Sequence, residues 1–240
     1  MAKTLITAHT GCMNTPPNSI QSVLEGIKTG AEIIEVDVNV TKDGIAVLVH
    51  DDHVSTPFGN KRVHDLTFEE LKGLSGKGEI IRLEDVLPLI QEHHRVVNLD
   101  VKADHAVEPM IRTVEKYGMR NDVIISGCEK ERATYVKDHY RPYQVLLNAS
   151  ASLYASHGNN YELFVKQTCR DAVEASCCGI NINHRHCRES LVEYASLRCL
   201  PVLVWTVDDP QAMEQFLDLG VYSITSNEIQ TLVHMRNHRK

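Results

Sequence analysis

Short β-branched runs alternate with helix-length amphipathic stretches along almost the whole chain, and that alternation narrows the fold more than any other feature. The runs are "TLITAH" (4–9), "IIEVDV" (33–38), "RVVNLDVK" (95–102), "DVIISG" (122–127), "QVLLN" (144–148), "CCGINI" (177–182), "PVLVWTV" (201–207) and "YSITS" (222–226). Most are followed by a helical pattern, such as "NSIQSVLEGIKTG", where Asn18 reads as an N-cap and Gly30 as a helix stop. Strand–helix repetition requires a parallel sheet with helical crossovers. Eight such units in 240 residues match a closed (β/α)8 barrel of the TIM type. An open doubly wound sheet would share the alternation, but its usual phosphate loops, GxGxxG or GxxxxGK[ST], are absent. No low-complexity linker divides the chain, so 1–240 reads as one domain.

One segment departs from the rhythm. After Val40 comes "TKDGIAVLVHDD", in which Asp43-Gly44 between apolar runs signals a two-residue type I′ hairpin turn. That register places His50 directly opposite Asp37, on the same face. Residues 53–80 then form an irregular excursion rich in glycine and charge, with "TFEE" as a capping box opening a short helix. This insertion is a rim or lid over the barrel mouth, or a passive surface loop.

The stretch "EIIEVDV" (32–38) sets two carboxylates into a strand that otherwise reads as buried. Side chains alternate along a strand, so Ile34, Val36 and Val38 take the helix side while Glu35 and Asp37 point to the barrel axis. In "NLDVK", Leu99 and Val101 suit the helix side, and Asn98, Asp100 and Lys102 face inward. His9 ends the first strand. Barrel enzymes keep their chemistry at the C-terminal ends of the strands, where this chain would gather three acids, two histidines and a lysine. Converging carboxylates repel one another unless a cation neutralises them, and an all-oxygen donor set suits Mg²⁺ or Ca²⁺ rather than zinc. Two imidazoles beside such a cation would form an acid/base pair. Lys102 would neutralise an acid or hold an anionic substrate, and phosphate chemistry is the natural expectation. Each piece also has a structural reading: a strand-end histidine, acids that accept hydrogen bonds from loops, a lysine that only satisfies Asp100.

Composition excludes other classes. Net charge is −7 without basic runs, which argues against nucleic acid or an anionic membrane surface. No run of eighteen apolar residues occurs and "MAKTLITAH" is not a signal peptide, so neither export nor stable membrane insertion is expected. Seven cysteines without a CxxC pair point to reduced thiols and a cytoplasmic protein. "NHRHC" (183–187) offers two histidines and a thiol, but too few further ligands for zinc, and reads as a solvated loop. Asn181 and Asn183 could point inward to a headgroup. Trp205 reads as core or as a platform against substrate. Cys177 and Cys178 read as buried filler, and Cys12, near His9, is not needed by this chemistry.

These motifs resemble those of the glycerophosphodiester phosphodiesterases. That family's pattern runs HRG after the first strand, PENT, an ExD strand with TKDG, a strand ending HD, and later an ExK strand. Here the counterparts are "HTG" (9–11), "PPNS" (16–19), "EVDVNVTKDGIAVLVHD" (35–51) and "DVK" (100–102), while the stretch "VLVWTVDDPQAMEQFLDLGVYSITS" is similar to the family's last two strands. The resemblance implies metal-dependent cleavage of a phosphodiester such as glycerophosphocholine. It implies Glu35, Asp37 and Asp100 as ligands of a divalent cation, His9 and His50 as the acid/base pair, and Lys102 at the phosphate. Thr10 and Trp205 join the expected substrate contacts. Departures are equally specific: Thr10 stands for the arginine of HRG, Asp100 for a glutamate, Pro17 for the glutamate of PENT, and Ser226 for the closing aspartate. A hydroxyl does not replace a bidentate guanidinium. The expectation is therefore a hydrolase releasing an alcohol and a glycerol phosphate. The alternatives are a weak or inactive barrel that binds a phosphorylated ligand, and a lyase-type enzyme forming a cyclic phosphate.

Overall fold

The computed structural model describes residues 3–56, 59–74, 79–157 and 160–239. Its strands are β1 (Leu5–Ala8), β2 (Ile33–Val40), β3 (Ala46–Leu48), β4 (His53–Thr56), β5 (Gly59–Arg62), β6 (Val96–Val101), β7 (Val123–Cys128), β8 (Gln144–Asn148), β9 (Gly179–Asn183), β10 (Val202–Trp205) and β11 (Ser223–Ser226). Its helices are α1 (Ile20–Thr29), α2 (Phe68–Leu74), α3 (Leu83–Glu92), α4 (Val107–Lys116), α5 (Lys130–His139), α6 (Ala151–His157), α7 (Tyr161–Glu174), α8 (Glu189–Ser196), α9 (Pro210–Leu219) and α10 (Ile229–Asn237). Strands β1, β2 and β6 to β11 pair in parallel, and β1 bonds to both β11 and β2, closing an eight-stranded barrel inside a ring of helices. The eight strand positions are those the alternation predicts.

Parity along β2 decides the faces. Ile34, Val36, Val38 and Val40 join the apolar layer between strands and helices, together with Val23 and Ile27 of α1 and Leu83, Val86 and Leu87 of α3. Glu35, Asp37 and Asn39 point the other way and are also buried. Strand register sets Asp37 against Asp100 and Glu35 against Asn98. Close strand packing also constrains Gly127, whose φ is +73°. A Cβ there would lie 2.4 Å from the Val101 carbonyl oxygen and 2.6 Å from Asp100 Oδ1, so no side chain fits between β6 and β7 at this point.

Two local expectations are corrected. The hairpin is one residue out of the expected register: Val38 faces Leu48, Asn39 faces Val47 and Val40 faces Ala46. Thr41 N bonds to Ile45 O and Gly44 N to Thr41 O, so the loop holds three residues with Gly44 in the left-handed region at its end. The cause is Asp43, whose carboxylate accepts from Thr41 Oγ1 at 2.6 Å and from the first α2 amide, Phe68 N, at 3.0 Å. β3 ends at Leu48, and His50 follows in the loop beyond it rather than opposite Asp37. The second correction concerns α1, whose N-cap is Ser19: its hydroxyl accepts from Ser22 N. Asn18 instead adopts φ +55° and turns its side chain into the barrel. Gly30 does end the helix, at φ +96°.

The excursion after β3 comprises the β4–β5 hairpin, a 3-10 turn at Val63–Asp65 and α2. It has a small apolar centre of its own in Val47, Val63, Leu66 and Leu71. Thr67 and Glu70 form the expected capping box, with Glu70 Oε2 accepting from Thr67 N at 2.8 Å and Thr67 Oγ1 accepting from Glu70 N at 3.3 Å. "SGKGE" lies largely outside the described residues.

Candidate active site

The inward residues of β2 and β6 meet where their strands end. Glu35 is buried, and its Oε2 accepts a 2.9 Å hydrogen bond from Thr10 N. Asp37 is buried between Asn18 Nδ2, 2.8 Å from Oδ2, and Lys102 Nζ, 2.7 Å from Oδ1. Lys102 Nζ also makes a short ion pair with Asp100 Oδ2, and Ser126 Oγ bonds to Asp100 Oδ1 at 3.2 Å. Oxygens of the three carboxylates lie within 4.8 Å of one another.

One ammonium thus serves three acids. Burial, then the neighbouring charges of Asp37 and Asp100, push the Glu35 carboxyl well above the ordinary carboxylate range. Burial works against the Lys102 ammonium, but Asp100 and Asp37 outweigh it and hold it charged. The cluster keeps an excess of negative charge in a place shielded from water. Its donors are oxygens only, which fits a hard divalent cation.

Around this cluster lies a cavity of about 370 Å³, lined by His9, Glu35, Asp37, His50, Asp100 and Lys102 among others. His9 Nδ1 is 2.9 Å from Asn227 Oδ1. The Asn227 amide nitrogen is already given to Asp208 Oδ2 at 2.8 Å, so its oxygen must accept from His9. In the neutral imidazole this places the proton on Nδ1 and turns the Nε2 lone pair outward from that bond. Asp208 also accepts from Ser226 Oγ at 3.1 Å and from Asn227 N at 2.7 Å, so a carboxylate from the turn after β10 stands beside Ser226, the departure from the closing aspartate. His50 lines the same cavity; its side chain is exposed and its Nδ1 lies 2.8 Å from Asp51 Oδ1.

Thr10 is placed differently from the expectation. It is buried, does not line the cavity, and its hydroxyl is used by Asn18, accepting from Asn18 N at 2.5 Å and donating to Oδ1 at 3.2 Å. Asn18 Oδ1 accepts from Asp37 N as well. Thr10 and Asn18 together therefore aim Glu35 and Asp37, and Thr10 offers no hydroxyl to a substrate. Trp205 is half-buried and belongs to the cavity wall rather than the core; its indole N–H is buried with no partner among the described residues.

Sequence reasoning missed Arg132. It lines this cavity and a neighbouring one of about 930 Å³, and Gly127, Asn148 and Trp205 are common to both. Its Nη1 donates to the carbonyls of Val101 and Gly127 at 2.7 and 2.5 Å, and Nε to Asp104 at 2.6 Å. Nη2 has no partner among the described residues. Asn18, Asn227 and Asp208 were missed too, because loops carry no periodicity to read. "NHRHC" forms a 3-10 turn, with His186 stacked on Tyr154 and His184 Nδ1 3.3 Å from Trp205 O, and no third ligand gathers there among the described residues.

A barrel that crowds under-neutralised acids around one lysine at the C-terminal ends of its strands, with an imidazole lone pair beside them, takes its place among the phosphoric diester hydrolases. The chain belongs to the glycerophosphoryl diester phosphodiesterase family, whose model matches residues 9–231. It is 28% identical to a glycerophosphodiester phosphodiesterase of Caldanaerobacter subterraneus subsp. tengcongensis over 249 aligned residues, covering 97% of this chain and 98% of that protein. A putative glycerophosphoryl diester phosphodiesterase from Agrobacterium tumefaciens shares the fold with a TM-score of 0.84 at 18% identity, covering 98% of each chain. A phosphodiesterase of Oleispira antarctica, solved with the product sn-glycerol-3-phosphate, superposes with a TM-score of 0.82 at 18% identity, over 98% of this chain and 97% of the other. Among the described residues no helix is long and apolar enough to cross a membrane.

Proposed function

We propose that the chain hydrolyses a glycerophosphodiester to an alcohol and a glycerol phosphate, with a divalent cation, Mg²⁺ or Ca²⁺, as cofactor. The observation that carries this reading is the charge deficit: three carboxylates within 4.8 Å of one another share a single ammonium. Glu35, Asp37 and Asp100 would hold the ion, which supplies charge neutralisation at a phosphoryl oxygen. Lys102 offsets the remaining charge and fixes two of the acids. His9 Nε2 takes the proton of the attacking water as that water's oxygen bonds to phosphorus. His50 gives a proton to the leaving alkoxide as the P–O bond breaks, and its exposure allows re-protonation from solvent. General acid and base of this kind are each worth about 10²–10⁴ in rate.

Thr10 leaves no guanidinium after β1, and Arg132 compensates from the opposite wall with a cation pinned by two carbonyls. In this reading the phosphate lies between Lys102 and Arg132, while the alcohol headgroup extends past Trp205 into the larger cavity. Residues 53–80 act as its rim, and 1–240 works as one domain. The seven free cysteines suit a reducing compartment, and we place the protein in the cytoplasm.

Phosphorus NMR of the purified chain with glycerophosphocholine and added Mg²⁺ or Ca²⁺ tests this directly. Glycerol phosphate should accumulate, and both chelation and His9→Ala should stop it. Activity that survives both would overturn the mechanism. A cyclic phosphate as the end product would instead mark a lyase.

A further inference from the structure

Of the described residues, a second group of ligand-type side chains gathers away from the acid cluster, where Asp52, His64 and His105 bring one ligand atom each within 4.8 Å of the others. Asp52 precedes β4, His64 sits in the 3-10 turn after β5, and His105 in the 3-10 turn Asp104–Ala106 ahead of α4. A backbone bond from Val63 N to Asp52 O, 2.8 Å, clips the first two segments together. The two imidazole rings lie 4.6 Å apart, centre to centre.

Two atoms in this group lack what burial demands. Asp52 Oδ1 and His64 Nδ1 are shielded from water and have no hydrogen-bond partner among the described residues, yet they face each other at 3.9 Å. That is too long for a hydrogen bond, and a buried polar atom left without a partner is destabilising. A carboxylate oxygen and a ring nitrogen set apart in this way leave room for a small cation between them. His64 Nε2, the other ring nitrogen, lies 3.4 Å from Asp65 Oδ1. A carboxylate behind the far nitrogen is how a ligating imidazole is normally held with its lone pair toward a metal. His53 Nδ1, 4.0 Å from Asp52 Oδ2, supplies a further nitrogen close by.

We propose that Asp52, His64 and His105 bind a borderline transition-metal ion of the Zn²⁺ class, fastening the rim to the barrel. Zinc bonds of about 2.0–2.2 Å in a tetrahedron set ligand atoms roughly 3.4 Å apart. Asp52 Oδ1 and His64 Nδ1, at 3.9 Å, need to close by about half an ångström, and no pair in the group, all within 4.8 Å, by more than about 1.4 Å. Two imidazoles and one carboxylate, with a fourth position for water or His53, match a zinc donor set, whereas the acid cluster at the mouth offers only hard oxygens. Asp52 and His64 belong to the rim and His105 to the connection between β6 and α4, so the ion would cross-link parts of the chain that no barrel hydrogen bond joins. His105 also lines the larger cavity, which puts this fastening at its edge.

Metal binding and protease protection, not turnover, test the proposal, so it stands or falls separately from the catalytic reading. Metal-free full-length protein is titrated with Zn²⁺ against a chromophoric chelator, with excess Mg²⁺ present to occupy the acid cluster. One Zn²⁺ per chain is expected, weakened by at least about 100-fold in His64→Ala and in His105→Gln, since even outer partners of a metal ligand are worth 10–100-fold. His105 is exposed, so its variant folds even where the His64 one fails. His234→Ala, which removes one of the two histidines stacked at the end of α10, His234 and His238, serves as control and should bind as the wild type does. Zn²⁺ should also slow proteolytic cleavage within residues 53–80 of the wild type and not of His105→Gln. Equal Zn²⁺ affinity in wild type and both variants would overturn the site, as would a zinc signal that excess Mg²⁺ abolishes.

Discussion

Glu32 and Glu35 stand three residues apart at one strand, and their surroundings push them in opposite directions. Glu32 enters β2 on the outward side. Its Oε2 accepts from Ile6 N at 2.9 Å and from Arg236 Nη1 at 2.7 Å, and that same nitrogen donates to Thr4 O at 3.1 Å. Burial raises its pKa, but the bonds from Arg236 and Ile6 outweigh it and the net shift is downward. Glu35 points inward, receives one backbone N–H, and shares a single lysine with two other acids; its pKa is raised. The chain evidently has the means to balance a partly buried glutamate, since it does so within one turn of sequence. An imbalance left at the mouth and corrected at the base is the signature of a site in which another charge takes part.

The largest effect separates the two regions by activity. Asp37→Asn should lower kcat by about 10³-fold, because in the proposed mechanism several kcal/mol of charge stabilisation would rest on a fully ligated cation and each 1.4 kcal/mol is tenfold. Glu32→Gln should leave kcat near wild type, since Glu32 touches only the base of the barrel. Steady-state kinetics on both variants, with saturating Mg²⁺, would break the comparison if the two losses were alike.

Next is a stability effect with the opposite pattern. Arg236→Ala leaves Glu32 without its counter-charge and Thr4 O without a donor, which should cost about 3 kcal/mol in urea unfolding. Asn18→Ala lies at the mouth and should act mainly on the chemistry. It removes the amide that bonds both Asp37 Oδ2 and Asp37 N, and loss of such an outer partner lowers metal affinity or activity by about 10–100-fold. Metal titration read by turnover distinguishes this from simple unfolding.

What the sequence disclosed and what it hid follow the same division. Strand parity is a local rule, so "EVDV" and "LDV" reveal their inward acids, and the βα rhythm gives the closed barrel. Register across the hairpin is not local: it turned on whether Asp43 serves in the turn pair or anchors a three-residue loop to α2. Asn18 looked like a cap because polar residues before a helix usually are caps, and only the left-handed backbone of Asn18 turns its amide to Asp37. Arg132 lies in the first turn of α5 and Asp208 and Asn227 in the turns after β10 and β11, with no shared period, and the Asp52–His64–His105 group spans the rim and the barrel. Such side chains meet only once the closure of the sheet is known.

The smallest effect is a pH slope, and it sharpens the comparison because the two glutamates contribute with opposite sign. A carboxyl whose pKa is raised by folding keeps its proton in the native state after the unfolded chain has lost it. Metal-free stability therefore falls as pH climbs from the ordinary carboxylate value, 4.5, toward the raised value of Glu35. Glu32, with its lowered pKa, stabilises above 4.5 and loses that contribution as pH falls through its folded value. The measurement is the difference in chelator-treated protein between wild type and Glu35→Gln, which cancels the contribution of every other titrating group. The amide keeps an oxygen for Thr10 N but has no proton to lose. As pH rises above the ordinary carboxylate value of 4.5, the wild type should lose stability relative to Glu35→Gln. Saturating Mg²⁺ should remove that relative loss, because a bound cation favours the ionised carboxylate in the folded state. Identical slopes for the two proteins in chelator would mean that Glu35 carries its charge without help, and the contrast with Glu32 would be gone.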